Sequence, residues 1–503
     1  MISKEMEALH VKIRENKFSP VPDIIMELIA AHDTEAMLEG VRYYRSKGDI
    51  TGRKMYYYDS QGSRNEDHIK TNHKLVNNWH KLLVDQKVSY LVGRPMVFTI
   101  DTGESALNPK TKQTGRLTAG NEKANGPKRD FADKIELLLG DEWDDTVADI
   151  ATNASNKGTE WLHVYIDKNG YFKYAIAPAE GIIPVYDSPM GQNLEVILRY
   201  YTVQAEGKER CRVEWWARET VTIFTETGDG GFEPDTTEAA NPAGHYIKGG
   251  MQQGFGKVPF IEFPNNSFRA SDLEVTKTLI DEYDRAISDF ANNNAEVQDI
   301  IMILKGYEAT DLNSFKENLR YFKTIKLRPD PHAGVDKLEL NIPFEAKREL
   351  LDRIEENIFM FGQGVNVKTD RFGNSPSGAS LKFLYSLLDL KASMMERKFR
   401  RSVKRLLWFT TEYVNMFYDK DFDPLDVKAG FRKNLVQNDK EIVETLNTSR
   451  DMISDETIVE RHPLIENAGY EYQKLLVQRQ ERMGSTVDLT DNDADTKDID
   501  IEG

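Results

Sequence analysis

The chain has almost no cysteine and no long apolar segment. Cys211 is its single cysteine among 503 residues, which excludes a disulfide framework and points to a reducing cytosol as the natural compartment. The first residues are charged and lack the apolar core of a signal peptide. No other segment approaches the roughly 20 apolar residues of a transmembrane helix. We therefore expect neither secretion through a signal peptide nor insertion into a membrane.

Basic residues are also in deficit. The sequence contains 66 Lys and Arg residues against 83 Asp and Glu residues, which gives a formal net charge of −17. Proteins that wrap nucleic acid tightly do so by neutralising phosphates with Lys and Arg. The net charge therefore argues against tight, non-specific wrapping of nucleic acid, and any contact with DNA is expected to be local or weak. The overall composition is that of a globular protein, and the length allows about three domains.

Familiar catalytic motifs are missing as well. The glycine-rich segment 249–258 lacks the spacing of a P-loop and the hydroxyl residue after its lysine, so we interpret it as a loop leading into a strand at 259–263. The sequence contains no Gly-x-Ser-x-Gly elbow, His-Glu-x-x-His helix or arrangement around a cysteine nucleophile. We expect no enzyme activity, so any energy-driven step would depend on a partner protein.

Candidate metal ligands are scattered or poorly spaced. His73 and His80 lie two turns apart on one predicted helix, which is too far for chelation of a metal. A group of acids around Trp143 could hold a hard cation, with a metal-dependent nuclease as the alternative function; its members are Asp141, Glu142, Asp144 and Asp145. Consecutive acids point to different sides of a helix, and no glycine-turned calcium loop follows. A solvated turn is favoured, and no metal or cofactor is predicted.

The first half of the chain has a mixed α/β pattern. A helix is predicted at 72–91 because apolar side chains recur on one side and Gly93 and Pro95 follow. After a strand at 96–100, residues 101–129 have almost no large apolar side chain and are expected to form an exposed, mobile insertion. Alternating patterns predict an antiparallel sheet, with strands at 161–166, 171–177, 195–203, 212–217 and 221–225.

Two amphipathic helices bracket a small α/β insert in the centre of the chain. The helices are predicted at 272–295 and 343–361, because their apolar residues recur at the helical period. Within the insert, the sequence predicts strands at 300–304, 324–327 and 335–340 and a short helix at 311–321. Such an outgoing and returning helix pair places the insert far from the rest of the protein.

A glycine-rich loop at 362–378 leads into a helix of about 40 residues, which spans about 60 Å. One apolar stripe steps along this helix by threes and fours; its members are Leu381, Leu384, Leu388, Ala392, Met395, Phe399, Val403, Leu406, Tyr413 and Phe417. Shorter helices are predicted at 438–448 and 454–461. The last segment, 484–503, has seven acidic residues and one lysine and is predicted to be disordered.

Five sequence blocks in this order resemble portal proteins of tailed double-stranded-DNA bacteriophages, of the siphophage type from Gram-positive hosts. The blocks are GVRYY at 40–44, HKLLVDQK at 80–87, YLVGRP at 90–95, LIDEYD at 279–284 and LYSLLDLKA at 384–392. The resemblance covers most of the chain. Several blocks in one order are far more specific than any single block.

This resemblance implies a helix-rich α+β portal fold that forms a closed ring of about twelve copies around an axial tunnel. The implied divisions are a wing at 1–270 with the mobile insertion 101–129, stem helices at 271–295 and 343–361, a clip at 296–342, a tunnel loop at 362–377, the long wing helix at 378–420, a helical crown at 421–483 and the acidic tail at 484–503. Each long helix is expected to bury its stripe partly against its own subunit and partly against the next.

The resemblance also implies a function and a set of partners. A portal is the channel through which double-stranded DNA enters and leaves the capsid, located at one vertex of the virion and assembled in the host cytoplasm. The implied partners are other copies of the chain, a terminase packaging ATPase, scaffolding and major capsid proteins, head-completion or adaptor proteins, and the passing DNA. A monomeric adaptor or scaffold protein is a further alternative, which native mass would separate from a ring.

The implied sites lie mainly in the loop and the insert. Candidate DNA contacts in the tunnel loop are Lys368 and Arg371, with Asn366, Asn374 and Ser375 as weaker ones; pairing of the two cations with acids of neighbouring subunits is an equally weighted alternative. Loop hinges are expected at Gly362, Gly364, Gly373 and Gly378. Docking residues in the clip are expected at Ile300, Leu304, Phe315, Tyr321 and Lys326.

A basic stretch on the long helix has two interpretations. Its members are Lys398, Arg400, Arg401, Lys404 and Arg405. Such a stretch could bind DNA, but a solvated or salt-bridged helix face is the more common case and is favoured.

Overall fold

A computed structural model of the chain describes residues 4–68, 70–100, 126–189, 193–205, 207–228, 230–238, 240–297, 301–305, 334–338, 344–366, 378–434, 439–465, 471–472 and 474–479. The chain divides into two compact units. Unit 1 comprises Met1–Leu38, Val84–Ser271 and Val365–Gly503, and unit 2 comprises Glu39–Leu83 and Asp272–Gly364. The first 270 residues are therefore shared between the two units.

The helices in the described part of the chain are α1 (Lys4–Glu15), α2 (Ile25–Ala30), α3 (Glu35–Tyr44), α4 (Trp79–Val92), α5 (Gly126–Leu139), α6 (Trp143–Lys157), α7 (Leu273–Val297), α8 (Phe344–Gly362), α9 (Gly378–Tyr418), α10 (Asp439–Thr448) and α11 (Asp455–Arg461). The predictions for α7, α8, α9, α10 and α11 are confirmed to within two residues at each end.

The strands in the same ranges are β1 (Tyr56–Tyr58), β2 (Arg64–Glu66), β3 (Val97–Ile100), β4 (Thr159–Ile166), β5 (Phe172–Ala177), β6 (Ile182–Tyr186), β7 (Leu194–Ala205), β8 (Lys208–Trp216), β9 (Thr220–Glu226), β10 (Phe232–Pro234), β11 (Ala243–Gly244), β12 (Tyr246–Lys248), β13 (Met251–Gln253), β14 (Phe260–Pro264), β15 (Ile301–Lys305), β16 (Gly334–Leu338) and β17 (Val427–Gly430). The described pairings are antiparallel.

Unit 1 contains two larger sheets rather than the single sheet that the sequence predicted. One has the strand order β10-β9-β8-β7-β6, with β11 paired to β9, and the other has the order β14-β4-β5. The first sheet packs against α1 and α2, and its core includes Trp215, Phe224 and Leu28. The predicted strands are correct, but the strand at β6 and the division into two sheets were missed because strand pairing depends on non-local contacts.

The long helix α9 packs across β14 in unit 1. Phe399 meets Phe263 edge to face with ring centroids 5.1 Å apart, and the Ser402 hydroxyl donates a hydrogen bond to the carbonyl oxygen of Glu262. The predicted apolar stripe is buried from Leu388 to Tyr413. The stripe therefore faces the core of its own subunit, and the expectation that it is shared with a neighbouring subunit is wrong over this stretch.

Two local predictions in unit 1 also need correction. Helix α5 begins at Gly126, inside the predicted insertion, because Phe131, Ile135 and Leu139 recur every four residues and are buried. Residues Tyr246–Lys248 and Met251–Gln253 form a hairpin rather than a loop, since Gly249 and Gly250 both adopt the positive φ that its tight turn requires. Strand β17, in the segment predicted as the crown, pairs with β3, and the division into wing and crown stays a prediction.

Unit 2 is built around the antiparallel pair α7 and α8. Strands β15 and β16 follow α7 and precede α8 in the chain and pair with each other, with Leu304 opposite Val335. This pairing agrees with the predicted strands at the two ends of the insert. The predicted helix at 311–321 and the strand at 324–327 lie outside the described residues.

The predicted helix at 72–91 begins seven residues too early. Helix α4 starts at Trp79, and residues 71–78 form no regular structure. The sequence pattern had placed His73 and His80 on one helix. In the structure His80 lies on α4 and His73 lies before it. The backbone amides of this segment use side chains of α7 as their partners, and that pairing replaces the hydrogen bonds of a helical turn.

Candidate functional site

The helix pair of unit 2 has an apolar seam. Ile280 of α7 and Ile354 and Ile358 of α8 belong to one buried cluster. Trp79 closes this cluster, because its ring meets those of Tyr283 and Phe359 edge to face at centroid distances of 5.3 and 5.5 Å. Such aromatic contacts add about 0.5–1.5 kcal/mol each beyond the burial of area. The seam packs α7 against α8, the two helices that flank β15 and β16 in the chain.

A polar stripe on α7 binds the extended segment before α4. The backbone N–H groups of His73, Leu75 and Asn77 donate to the side chains of Asn292, Ser288 and Asp284, at 2.7, 3.0 and 2.9 Å. Two residues of extended chain rise about 6.6 Å and four residues of helix about 6 Å. The two repeats therefore match, and three successive contacts form in register. The sequence did not predict this pairing, although the spacing of the three acceptors by fours is visible in it.

Asp284 is the one acid among these three acceptors, and 1% of its surface is exposed. Its carboxylate accepts hydrogen bonds from both the backbone and the side-chain nitrogen of Asn77. Burial raises the pKa of Asp284 to about 6, although the bonds from Asn77 act in the opposite direction. The group is therefore close to half protonated in mildly acidic solution.

Ion pairs hold the N-terminal part of α7 against the segment that contains α3. The Lys277 ammonium lies 2.7 Å from Asp49 and 2.8 Å from Asp281, and Arg42 lies 2.6 Å from Asp49. Burial by itself would raise the pKa of Asp49, but hydrogen bonds from Lys277 and Arg42 outweigh it and lower the pKa to about 2. Tyr43 also donates its hydroxyl to Asp281. Residues 39–83 are thus attached to α7 by polar contacts along most of its length.

Gly362 is the last residue of α8 and lies in a tight contact. A Cβ atom at this position would stand 2.5 Å from Leu83 Cδ1 and 3.3 Å from Thr276 Cγ2. The absence of a side chain therefore has a packing reason, and the role of Gly362 as a hinge stays a prediction.

In unit 1, the first residues after α8 are fixed to helix α4. Gln86 donates its side-chain nitrogen to the Val365 carbonyl and accepts from the Val365 N–H, both at 2.9 Å. Val365 is 3% exposed. The Gln86 amide thus bonds to both the N–H and the carbonyl of Val365, as a backbone residue of a neighbouring strand would, and fixes the backbone at this position.

The beginning of α9 is attached to the same helix one turn further on. Tyr90 donates its hydroxyl to Asp389 at 2.9 Å, and Lys433 donates to the same carboxylate at 2.7 Å. The rings of Tyr90 and Tyr385 also stack, with centroids 6.0 Å apart. Because Gln86 and Tyr90 are four residues apart on α4, one face of this helix binds both flanks of the predicted tunnel loop.

Helix α9 carries a second apolar stripe that is exposed on the described subunit. Phe383, Leu387, Leu390 and Met394 are 78%, 41%, 54% and 44% exposed. They step along the helix by four, three and four residues, which is the spacing of a helix–helix seam. This stripe was not predicted, although its helical spacing is visible in the sequence. Four exposed large apolar side chains in register indicate a contact surface.

Most of the candidate loop and clip residues lie outside the described part of the chain. This applies to Lys368, Arg371, Gly373, Asn374, Ser375, Ile300, Phe315, Tyr321 and Lys326. Gly364 and Asn366 lie in the irregular segment after α8, Gly378 begins α9, and Leu304 lies in β15. The proposed roles of all these residues stay predictions.

The other charged groups are distributed as follows. Arg400 pairs with Glu396 within its own helix, as expected for a salt-bridged face. Asp144 lies in the first turn of α6 and accepts a hydrogen bond from the Met96 N–H at 3.1 Å. Within the described ranges, no three His, Cys, Asp or Glu side chains are grouped so that they could hold a metal ion. None of the helices described has the length and apolarity that crossing a bilayer requires.

Comparison with known proteins identifies the family of this chain. The family model described as "Phage portal protein, SPP1 Gp6-like" matches residues 27–485. The chain belongs to this family of phage portal proteins. It is 33% identical over 506 residues to the portal protein of Bacillus phage SPP1, covering 99% of this chain and 95% of the relative. It is also 29% identical over 472 residues to the portal protein of Clostridium phage phiCD119, covering 90% and 94%.

Membership confirms the resemblance seen in the sequence and gives the protein its function. It is a structural component of the phage capsid vertex that serves the passage of DNA. Portal proteins act as capsid-associated oligomers together with packaging partners. The mixed helix and strand content of the structure agrees with the α+β class that was predicted.

Proposed function

We propose that this portal protein forms a closed ring of about twelve copies, and that the exposed stripe of α9 forms part of the contact between neighbouring copies. The observation that carries this proposal is the exposed, helically spaced row from Phe383 to Met394. A heterologous contact repeated around an axis closes into a ring and leaves no copy with an uncovered stripe. Burial of one such side chain stabilises by roughly 1.5–3 kcal/mol, so the row contributes substantially to each contact.

Native mass of purified protein tests the ring directly. Leu387→Asp and Leu390→Asp place a charge in the stripe, so we expect them to lower the fraction of rings while the isolated subunit remains folded. Leu388→Asp is the matched control for folding, because Leu388 is 2% exposed in the core of the subunit and its replacement should unfold the chain. A stable monomeric wild type would refute the ring, and wild-type ring yield from the Leu390→Asp variant would refute the role of the stripe.

The tunnel loop is the proposed place of contact with DNA. Lys368 and Arg371 are cations in a glycine-rich segment of an otherwise acidic chain, and Gln86 and Tyr90 hold the residues on both of its flanks. Replacing both cations by Ala should slow DNA packaging and leave ring assembly intact. Packaging at the wild-type rate would favour the alternative, in which the cations pair with acids of neighbouring subunits.

The segment between α7 and α8 is proposed as the docking site for the packaging ATPase and for head-completion proteins. The packed helix pair and the paired strands β15 and β16 support this role. Joining α7 to α8 through a short linker should give rings that bind neither partner in a pull-down. Recruitment of the ATPase by such rings would show that docking takes place elsewhere. Scaffolding and major capsid proteins are the remaining proposed partners.

A further inference from the structure

The loop between β14 and α7 presents one aromatic side chain to solvent. Phe268 is 88% exposed. The Asn266 side-chain oxygen accepts hydrogen bonds from the N–H groups of Phe268 and Ala270, at 3.0 and 3.1 Å. The side-chain amides of Asn265 and Asn266 both donate to the Ala270 carbonyl. The loop therefore holds Phe268 outward through its own hydrogen bonds.

Arg269 gives this loop an unusual backbone. Its φ is 55°, in the left-handed region that non-glycine residues rarely adopt. The Arg269 guanidinium donates hydrogen bonds to both carboxylate oxygens of Glu262. The Arg269 carbonyl oxygen also lies close to Gly158, where an added Cβ atom would be 2.1 Å from it. Such backbone strain persists only where the surroundings impose it. The exposed position of Phe268 is thus imposed by the fold.

Unpaired positive charge lies beside the loop. Ser402 of α9 hydrogen-bonds to Glu262, and the charges of Arg401, Glu262 and Arg269 all act on the Arg405 guanidinium. Within the part of the chain that the structure describes, neither Arg401 nor Arg405 forms an ion pair. Arg405 is only partly exposed, and burial together with the charge of Arg401 lowers the pKa of its guanidinium. Glu262, whose charge also acts on the Arg405 guanidinium, is already bound by Arg269.

A partly buried cation without a partner is unfavourable unless an anion reaches it. Exposed aromatic side chains and arginines are also the residues that enrich the centres of protein interfaces. Arg401 lies two helical turns after Met394, the last residue of the exposed α9 stripe. This surface therefore continues the proposed contact between subunits along the same helix.

We infer that Phe268, Arg401 and Arg405 form a contact surface for a second copy of this chain, in which the phenylalanine packs against apolar side chains and the guanidiniums bind carboxylates of the neighbour. This inference rests on the proposed ring. The charge balance favours such a partner, because each copy carries 83 acidic against 66 basic residues. Contact with phosphate alone would leave the exposed aromatic ring unexplained.

The first test compares ring assembly of three variants with that of the wild type. Phe268→Ser and the double variant Arg401→Ala/Arg405→Ala should each raise the protein concentration needed for half-assembly by about tenfold or more. Arg400→Ala is the matched control on the same helix, since Arg400 pairs with Glu396 of its own chain, and should change that concentration by about twofold at most. Unchanged far-ultraviolet circular dichroism would show that the variants fold.

The outcomes separate the two proposals. A wild type that forms no ring refutes the proposed function itself. Wild-type assembly of the Phe268→Ser and double-arginine variants refutes this inference and leaves the ring standing.

Two further measurements identify the partner. A photo-crosslinking phenylalanine analogue at position 268 should give covalent dimers when rings are irradiated, and the absence of dimers from intact rings would overturn the inference. Binding of labelled duplex DNA should be the same for wild type and the double-arginine variant. Loss of DNA binding with normal assembly would assign the arginines to DNA instead.

Discussion

At the scale of single residues, two largely enclosed histidines contribute to the response of unit 1 to acid. His163 stacks on Phe260 with centroids 4.4 Å apart, and its ring also meets Trp216 edge to face. Burial lowers the pKa of His163 to about 3 and that of His245 to about 4. Both side chains are therefore neutral in the folded protein at pH values where an unfolded histidine becomes charged.

Replacing His163 by Phe should make the stability of the protein less sensitive to acid. The unfolded chain binds protons at this histidine below about pH 6.5, whereas the folded chain does so only near pH 3, so stability falls as the pH falls between these values. At pH 5 the loss from one such group is roughly 2 kcal/mol. The Phe variant keeps the stacking and should lose less unfolding free energy than wild type between pH 7 and pH 5 in urea titrations. Identical losses would show that His163 does not titrate as its burial requires.

Asp284 in unit 2 should have the opposite effect, because its contribution to stability is lost as the pH rises. Its folded pKa of about 6 exceeds the unfolded value near 3.8, so its contribution to stability is fully present below about pH 4 and is lost as the pH rises through 6. Asp284→Asn keeps an acceptor oxygen for Asn77 and removes this dependence. In thermal unfolding, the melting temperature of the variant should equal or exceed that of the wild type at pH 8. This advantage should be lost at pH 4. A variant that is less stable than wild type at pH 8 would contradict it.

At the scale of elements, the contact between Gln86 and Val365 should control local opening of the chain before the loop. Gln86→Ala leaves the buried N–H and carbonyl of Val365 without partners, at a cost of about 1–3 kcal/mol for each group. Hydrogen exchange at the Val365 amide should become faster, while amides in the middle of α9 keep their protection. Equal protection of Val365 in both proteins would mean that other contacts hold this backbone.

Elements with a strong local pattern could be predicted from the sequence. The stripe of α9 continues over many turns, and the capping serine of α11 accepts a hydrogen bond from the Thr457 N–H, so both helices were located correctly. The segment before Trp79 was wrong because Leu75 has helical spacing while its N–H bonds to Ser288, 213 residues away. Propensity cannot reveal a partner at that distance.

The candidate site was predictable to a smaller extent. Apolar periodicity located the helix pair, but it did not show which apolar row of α9 remains exposed. Leu388 and Leu390 are both leucines of one helix, yet they are 2% and 54% exposed. The strands β14 and β17 and the helix α5 all pack against α9 and cover one of its faces. These contacts join chain segments far apart in sequence.

At the scale of the whole molecule, the acidic segment 484–503 should contribute little to stability. It has seven acidic residues, one lysine and no aromatic residue, so it can bury little apolar surface. Truncation after Met483 should therefore leave the melting temperature of the ring nearly unchanged in calorimetry. A clear decrease would show that the segment packs against the rest of the protein.

The distance in sequence between the two parts of unit 2 has a consequence for synthesis. Tyr43 and Asp281 are separated by 238 residues, and His73 and Asn292 by 219. A ribosome adds about 5–20 residues per second, so residues 39–83 leave it roughly 10–50 s before their partners on α7 exist. During this interval the nascent chain is exposed to chaperones and proteases. A subunit can complete unit 2 only after α7 has been translated, which delays its entry into any oligomer until late in synthesis.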